Sequence, residues 1–196
     1  HTDSSAASDV YKRQVIQSID VKTIYDVPIL MYKEGLDKVV MKRLEIYLDT
    51  KPDLKQWQSF LKRHKHPKSS VTIGLIGKYV ELQDSYKSIL ESFVHAGAAN
   101  EVEVKVVPVH SSDLDEQDVH KKFESFDGVL VAPGFGERGI EGKINAIKYV
   151  REQKIPFFGI CLGMQMAVIE YARNVLELSS ANSVAVSYTH LTLPTN

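Results

Sequence analysis

The sequence predicts an α/β fold in which a largely parallel sheet carries helices on both faces. Short apolar runs alternate with amphipathic segments between residues 71 and 174. The apolar runs are continuous, as in strands that are covered on both faces. Glycine-rich turns follow the last two runs, at the strand ends where such sheets bind ligands.

The elements of this fold follow from the pattern in order. The apolar runs predict four strands, at 71–76, 102–109, 128–132 and 156–160. Apolar residues at three- and four-residue spacing predict helices over 85–97, 115–123, 140–150 and 162–174. Asp84 or Ser85 is expected to cap the first of these helices and Gly97 to end it. Strand–helix units of this kind join by right-handed crossovers.

The region before the first strand divides into two parts. Residues 15–50 carry an apolar stripe at helical spacing, formed by Leu36, Val39, Val40, Leu44, Tyr47 and Leu48. Because so short a segment cannot bury this stripe in a core of its own, it is predicted to be the tail of a preceding domain, most of which is absent. Residues 51–70 are basic, with a short helix capped by Asp53, and are predicted to be a linker.

The two ends are left out of the predicted fold. Residues 1–14 are polar without a helical or strand period, and residues 184–196 end in a threonine-rich tail. Both resemble translated sequencing-adapter read-through, the alternative being ordinary disordered termini. The folded part of the second half is therefore expected to be a partial domain at 71–183.

The composition excludes several classes of protein. The chain is 43% hydrophobic and 25% charged, which is typical of a globular protein rather than a disordered one. Lys and Arg total 24 against 25 for Asp and Glu, so no nucleic-acid partner is expected. No apolar run is long enough to cross a membrane, so a membrane is not expected as a partner. One cysteine and no secretory signal predict a cytoplasmic protein.

The turn at 159–163 predicts a catalytic cysteine. Its Gly159-x-Cys161-x-Gly163 pattern has the form of a nucleophile elbow, with cysteine in place of serine. So tight a turn leaves no room for side chains beside the nucleophile, which explains a glycine on both sides. The turn also places Cys161 at a helix N-terminus, where unpaired N–H groups favour the nucleophilic thiolate. The alternative is a structural cysteine in a buried turn.

A thiolate that attacks a carboxamide creates an oxyanion, which needs N–H donors. The N–H of Leu162 is one candidate, because it directly follows the nucleophile. The second donor is expected from the loop at 134–136, with Gly134 in first place. The alternative for this loop is a simple strand-end turn, since its glycine spacing does not fit a dinucleotide-binding fingerprint.

Several motifs together resemble the CTP synthase family of class I glutamine amidotransferases. They are GICLGMQ at 159–165, GLIGKY at 74–79, DSYKS at 84–88, PGFGERGIEGK at 133–143 and ANS at 181–183, with IYDVP at 24–28 upstream. The cysteine motif alone indicates only the superfamily. The whole set is specific, and it covers about residues 15–183.

The resemblance implies an enzyme that aminates UTP to CTP with ATP, using ammonia that a glutaminase domain releases from glutamine through a cysteine thioester. For the complete enzyme it implies Mg²⁺, a GTP effector and a homotetramer. For this chain it implies a fragment with no cofactor and no metal site of its own. Residues 15–50 would be the C-terminal end of the synthetase (amidoligase) domain, and the missing part of that domain would be the partner.

The resemblance also assigns residues. Cys161 is the nucleophile, and the oxyanion and glutamine-binding positions are Gly134, Leu162, Gly163, Met164 and Gln165. Arg138 and Glu141 fall in a loop that the family associates with a lid and the GTP response, the alternative being a solvated pair of charges.

The chain departs from the family pattern in two places. None of its seven histidines is followed by Glu two positions later, so the family's His-x-Glu pair is absent, and Ala185 stands where the family has an acidic glutamine-binding residue. Without a base to carry the proton to ammonia, the fragment alone is expected to be inactive. The alternatives are the glutaminase part of another class I amidotransferase, such as GMP synthase, and a truncated binding module without catalysis.

Overall fold

The structure is a computed structural model that describes residues 16–17, 19–47, 50–134, 136–183 and 186. The chain divides into two compact units, residues 1–65 and residues 66–196. The expectations for 1–14 and for 184–196, apart from Val186, concern positions outside the described residues. Within the described part, no helix is both long and apolar enough to cross a membrane.

The first unit is helical. A 3₁₀ turn at Ile24–Asp26 leads into α1 (Val27–Lys33), and α2 (Leu36–Arg43) and α3 (Lys55–Lys65) follow. Proline stands in the first turn of α1, where its missing N–H costs no hydrogen bond. The predicted apolar stripe is largely exposed to solvent on and after α2, where Val40 is 43%, Leu44 is 62% and Tyr47 is 86% exposed. Its assignment to the end of another domain stays a prediction.

Helix α3 contacts Tyr25 through a hydrogen bond and through aromatic packing. The Asp53 carboxylate accepts the Lys55 N–H at 3.0 Å, as the predicted cap requires. Trp57 donates its Nε1–H to the Tyr25 carbonyl at 2.9 Å, and the Phe60 ring packs edge-on against the Tyr25 ring with centroids 5.1 Å apart. The predicted linker at 51–70 thus contains an ordered helix, and the two units divide within it, after position 65.

The second unit is built on a four-stranded sheet with the order β2-β1-β3-β4, in which every pair is parallel. The strands are β1 (Ser69–Gly77), β2 (Val102–His110), β3 (Gly128–Val131) and β4 (Phe157–Gly159). β1 begins two residues earlier than predicted, because Ser69 and Ser70 still lie in register with β2. The predicted α/β fold with a parallel sheet is confirmed.

Helices cover both faces of this sheet. Helix α4 (Lys87–Asn100) packs on one face, and α5 (Glu116–Phe123), α6 (Ile140–Gln153) and α7 (Leu162–Asn174) cover the other. The core under α4 includes Leu75, Leu130, Ile89, Leu90 and Phe93. The core on the opposite face includes Ile76, Val131, Phe123, Ile144 and Met166. The strands β1 and β3 therefore alternate their apolar side chains between two cores, which explains their continuous apolar runs. On β4, by contrast, Phe158 is 63% exposed.

Helix α4 differs from the prediction at both ends. Asp84 and Ser85 lie inside a 3₁₀ turn, Gln83–Tyr86, that precedes the helix, so neither caps it. The helix runs through Gly97 to Asn100, and Glu101, with φ 58°, ends it. Space rather than backbone conformation requires Gly97, because a Cβ there would lie 2.5 Å from the Val102 carbonyl oxygen.

Candidate active site

Strand pairing brings the two predicted glycine-rich turns to one edge of the sheet. The chain passes from β1 to β2 on one side, and β3 then joins the other side of β1. Ligands bind in α/β sheets at such a reversal of strand order, beyond the carboxyl ends of the strands. Val131 at the end of β3 lies opposite Gly159 at the end of β4. The loop after β3 and the turn at Cys161 are therefore neighbours.

Cys161 stands in a turn that few residues tolerate. Its φ of 52° and ψ of −107° form a conformation that only glycine adopts without strain. A Cβ on Gly159 would lie 2.6 Å from the Gly163 carbonyl carbon, and a Cβ on Gly163 would lie 2.1 Å from the Val131 carbonyl oxygen. Both glycines are needed for space, as the elbow pattern requires. The Cys161 side chain is exposed, which does not fit the alternative of a buried structural cysteine.

The first turn of α7 follows Cys161 directly. The Gly163 N–H donates to the Ile160 carbonyl at 2.9 Å, and the Gln165 N–H donates to the Cys161 carbonyl at 3.2 Å. These bonds close the turn and leave Leu162 as the first residue of the helix. The first N–H groups of a helix have no acceptor within it, so the Leu162 N–H stays the predicted oxyanion donor on this side.

Two lysines approach the loop after β3. Gly134 and Gly136 have φ values of 147° and 87°, which favour glycine. A Cβ on Gly134 would lie 3.9 Å from Nζ of Lys143, and a Cβ on Gly136 would lie 3.6 Å from Nζ of Lys78. The predicted source of the second oxyanion donor thus has the ammonium groups of two lysines nearby.

Lys143 is a buried charge that the sequence patterns did not single out. It is 1% exposed, and its Nζ donates to the Ala132 carbonyl at 3.1 Å. Burial, and then the charge of Lys78, lower the pKa of Lys143 to about 8, whereas Cys161 acts in the opposite direction. In the sequence, the sign of this burial is that Lys143 lies within the apolar stripe of α6, between Ile140 and Ile144.

The predicted glutamine-binding residues lie on the first turn of α7. Gly163 is buried, Gln165 is half-buried and Met164 is exposed. The Ser183 hydroxyl donates to Oε1 of Gln165 at 2.9 Å. This bond joins the cysteine motif to the ANS motif at 181–183 and fixes the Gln165 side chain close to the nucleophile.

The structure does not pair Arg138 with Glu141. The Arg138 guanidinium lies over the Tyr79 ring, 5.9 Å from its centroid. The Glu141 carboxylate instead accepts a hydrogen bond from Arg173 at 3.2 Å. Arg138 thus contacts the segment after β1, and Glu141 contacts α7. Their part in a lid and in a GTP response stays a prediction.

Two histidines of the second unit have partners elsewhere. His110 ends β2, which is three strand spacings of about 4.8 Å from β4, and its Nδ1 accepts the Ser112 N–H at 3.3 Å. His120 packs edge-on against the Tyr149 ring, with centroids 4.7 Å apart. In the described ranges, no three His, Cys, Asp or Glu side chains gather closely enough to hold a metal ion.

Comparison with known proteins identifies the family. The profile of the family described as "Glutamine amidotransferase class-I" matches residues 81–190. The chain therefore belongs to the class-I glutamine amidotransferases. The relatives it resembles are CTP synthases: the enzyme of Christiangramia forsetii is 65% identical over 175 residues, 89% of this chain and 32% of that protein. The enzyme of Flavobacterium johnsoniae is 62% identical over 179 residues, 91% of this chain and 33% of that protein.

Relatives of lower sequence identity are also CTP synthases. The CTP synthase of Methanocaldococcus jannaschii is 51% identical over 181 residues, 89% of this chain and 33% of that protein. A solved structure of the Trypanosoma brucei CTPS glutaminase domain with bound acivicin matches with a TM-score of 0.55 and 40% identity, covering 59% of this chain and 45% of that one. These relatives favour the CTP synthase resemblance over GMP synthase. The chain spans 32% and 33% of the lengths of the first two relatives.

Proposed function

We propose that this chain carries the glutamine-hydrolysing site of a CTP synthase, with Cys161 as the nucleophile. One observation carries the proposal: an exposed thiol stands in a strained turn, at φ 52°, between two glycines that admit no larger residue. A strained residue at a helix N-terminus is typical of an activated nucleophile. Similarity to CTP synthases supports glutamine as the substrate.

In the proposed reaction, the Cys161 thiolate attacks the side-chain carbonyl carbon of glutamine. A C–S bond forms, and the carbonyl oxygen becomes an oxyanion. The N–H groups of Leu162 and Gly134 stabilise this oxyanion, and losing one such donor costs about 10²–10³ in rate. The C–N bond then breaks, and the nitrogen takes up a proton and leaves as ammonia. Water attacks the thioester, which releases glutamate and restores the thiol.

The glutamine pocket is proposed to lie along the first turn of α7. Gly163 allows close approach to the nucleophile, Met164 offers an exposed apolar side chain, and Gln165 offers an amide fixed by Ser183. An amide held in one orientation recognises a polar substrate group at a lower entropic cost than a mobile one.

For the complete protein we propose that ATP activates UTP in the presence of Mg²⁺ and that ammonia displaces the phosphate. A cytoplasmic homotetramer and a GTP response through the loop of Arg138 and Glu141 belong to the same proposal. The similarity to whole CTP synthases supports it. The described residues contain no group of three His, Cys, Asp or Glu side chains that could hold a metal ion, and the glutaminase steps proposed for this chain involve none.

Reaction with an electrophilic glutamine analogue tests the glutaminase proposal. The L-form of a diazoketone analogue of glutamine is expected to add once to the chain, as seen by intact-mass spectrometry, and not to add to Cys161→Ser. The D-form is the matched control, because it has the same reactivity but the wrong shape for the pocket. Equal rates for the two forms would show a reactive thiol without a glutamine site and would overturn the proposal.

We also propose that the 196-residue chain does not turn over glutamine when it is assayed alone. Support comes from the sequence, in which no histidine precedes Glu by two positions, and from the engagement of His110 and His120 with other groups. Proton transfer to the leaving ammonia needs a group that takes the thiol proton as a base and then donates it as an acid. Ammonia release from glutamine by the purified chain, abolished in Cys161→Ala, would contradict this.

A further inference from the structure

We propose that Arg173, on the last turn of α7, is a positioning residue of the glutaminase site. Its guanidinium fixes the segment at 181–183, and this segment holds the side-chain amide of Gln165 close to the nucleophile. The inference rests on the proposed function, in which Gln165 binds glutamine. Arg173 lies outside the cysteine motif, the ANS motif and the loop of Arg138 and Glu141.

The chain turns back along α7 directly after the helix ends. The Leu178 N–H donates to the Ala172 carbonyl at 2.9 Å, and the Ala181 N–H donates to the Leu178 carbonyl at 2.9 Å. These bonds hold the turn itself, at the end of the helix that is remote from Cys161. The residues that follow the turn need other contacts to stay against the body of α7.

Two side chains of α7 provide these contacts. Nε of Arg173 donates to the Ala181 carbonyl at 2.7 Å, and the Ser183 hydroxyl donates to Oε1 of Gln165 at 2.9 Å. From Gln165 to Arg173 the helix rises about 12 Å, whereas two residues of extended chain span at most about 7 Å. The arginine side chain covers the difference, because helical side chains lean towards the helix N-terminus. A long side chain with a donor at its tip is therefore required at position 173.

The guanidinium of Arg173 is also held on a second side. Its Nη1 donates to the Glu141 carboxylate at 3.2 Å while Nε bonds to the Ala181 carbonyl. The Arg173 side chain is 22% exposed and Glu141 is 72% exposed, so the bond to Ala181 is the better shielded of the two. The guanidinium offers its donors in a fixed planar fork, a geometry that lysine does not reproduce. The start of α6, the end of α7 and the segment at 181–183 thus meet at one side chain.

The consequence for the pocket falls on the Gln165 amide. Because Oε1 is bonded to Ser183, the amide directs its N–H₂ group, with two donors, away from that residue. Two donors in a fixed direction suit an oxygen acceptor on the substrate, such as a carboxylate or a carbonyl. If the segment at 181–183 were not held, the amide would rotate, and ordering it again on binding would weaken the affinity for glutamine.

Modification of Cys161 by the L- and D-forms of the diazoketone analogue of glutamine tests the proposal. Arg173→Met is expected to lower the rate with the L-form about tenfold, as for the loss of one hydrogen bond. The loss should lie in the binding of the analogue and not in the reaction of the bound form. The D-form and iodoacetamide should react at their wild-type rates, because the turn at Cys161 is unchanged. The matched control is Lys148→Met, which removes another ion pair of α6, with Glu116 at 2.9 Å, and should keep all three rates.

Arg173→Lys covers the case in which Arg173→Met does not fold. It keeps the charge, but it should also lower the rate with the L-form selectively, since one ammonium cannot replace the fork between Ala181 and Glu141. Wild-type selectivity in either folded variant would overturn the inference, and so would an equal loss with iodoacetamide, which would show a merely structural role. Equal rates for the two forms in the wild-type chain would overturn the proposed function and, with it, this inference.

Discussion

At Cys161 the backbone adopts φ 52° and ψ −107° while the side chain remains exposed. Position 159 lies against the Gly163 backbone and position 163 lies against the Val131 backbone, so only glycine fits at either position. Strain at this residue is offset by the pairing of β3 with β4 and by the packing of α7 on the sheet. The cost of presenting the thiol is therefore distributed over several elements, as is common for residues held in rare conformations at functional sites.

Replacing this cysteine measures the strain. Cys161→Gly is expected to be more stable than Cys161→Ala, because glycine avoids a conformational cost of about 1–3 kcal/mol. Urea titration gives the two free energies of unfolding. Met164, exposed on α7, supplies the control pair, in which the alanine variant should be the more stable since glycine weakens helices. An alanine variant at position 161 as stable as the glycine variant would contradict the expectation.

Lys143 predicts a pH dependence of stability. Its pKa is about 8 in the folded chain against 10.5 for an ordinary lysine, so the unfolded chain binds more protons between these values. Stability therefore increases with pH through this window, and the cost of burying the ammonium is full below about pH 8. The stability advantage of Lys143→Met over wild type should be largest near neutral pH and smaller near pH 10. Urea titrations that give equal differences at both pH values would refute this.

Among the elements, α6 and α7 are joined by an ion pair between a buried carboxylate and a partly exposed arginine. The Glu170 carboxylate is 1% exposed and accepts hydrogen bonds from Arg151 at 2.8, 3.0 and 3.1 Å and from Asn174 at 3.2 Å. The hydrogen bonds to Glu170 are the largest cause that raises the pKa of Arg151. This pair therefore fixes the C-terminal half of α7 against α6.

The two partners of this pair differ in burial, and their replacements should differ in cost. Arg151→Met leaves a buried carboxylate without its main partner, which is expected to cost about 3–5 kcal/mol. Glu170→Gln leaves an arginine that is 34% exposed and can be rehydrated, so its cost should be smaller. Urea unfolding of both single variants and of the double variant separates these effects. Equal costs for the two single variants would contradict the argument.

Helix α7 has one open apolar face. Exposed residues recur at helical spacing along it: Met164, Val168, Tyr171 and Val175. Val168→Lys is expected to leave the free energy of unfolding unchanged and to reduce self-association, because the open apolar area becomes smaller. Ile169→Lys, one position further and 4% exposed, should prevent folding. Light scattering and urea titration measure both effects, and equal destabilisation by the two lysines would contradict this.

Over the whole molecule, burial is uneven between the units. All four residues of β3 are buried, whereas α1 and α2 contain no buried residue. Amide hydrogen exchange is expected to be slowest in β3 and at Leu75 and Ile76 of β1, and fastest in α1 and α2, because protection follows local burial. Mass spectrometry of peptic fragments measures this order. Protection of α2 equal to that of β3 would show that the expectation is wrong.

The order of elements in the second unit could be read from the sequence because its signals are local. Continuous apolar runs indicate strands covered on both faces, and Gly159 and Gly163 indicate a turn too tight for side chains. These signals located the four strands, their parallel arrangement and the position of the exposed thiol. They say nothing of strand order, which decides that the loop after β3 lies beside Cys161.

The remaining features depend on contacts between distant residues. No helix was predicted over 27–33, although proline is accepted in the first turn of α1. Gly97 reads as a helix stop, although it is required by the approach of Val102. Lys143 reads as a surface residue, since lysine is rarely buried. Its burial arises only when α6 packs across β3 and the loop after it.

Trp57 and Cys161 are each the one residue of their kind in the 196-residue sequence, and they belong to different units. The Trp57 indole is fixed by its hydrogen bond to the Tyr25 carbonyl, whereas the Cys161 thiol is exposed. An acceptor dye attached to Cys161 would therefore receive excitation energy from one donor alone. The sequence thus supplies one donor and one attachment site for an acceptor, by which the separation of the two units can be followed spectroscopically.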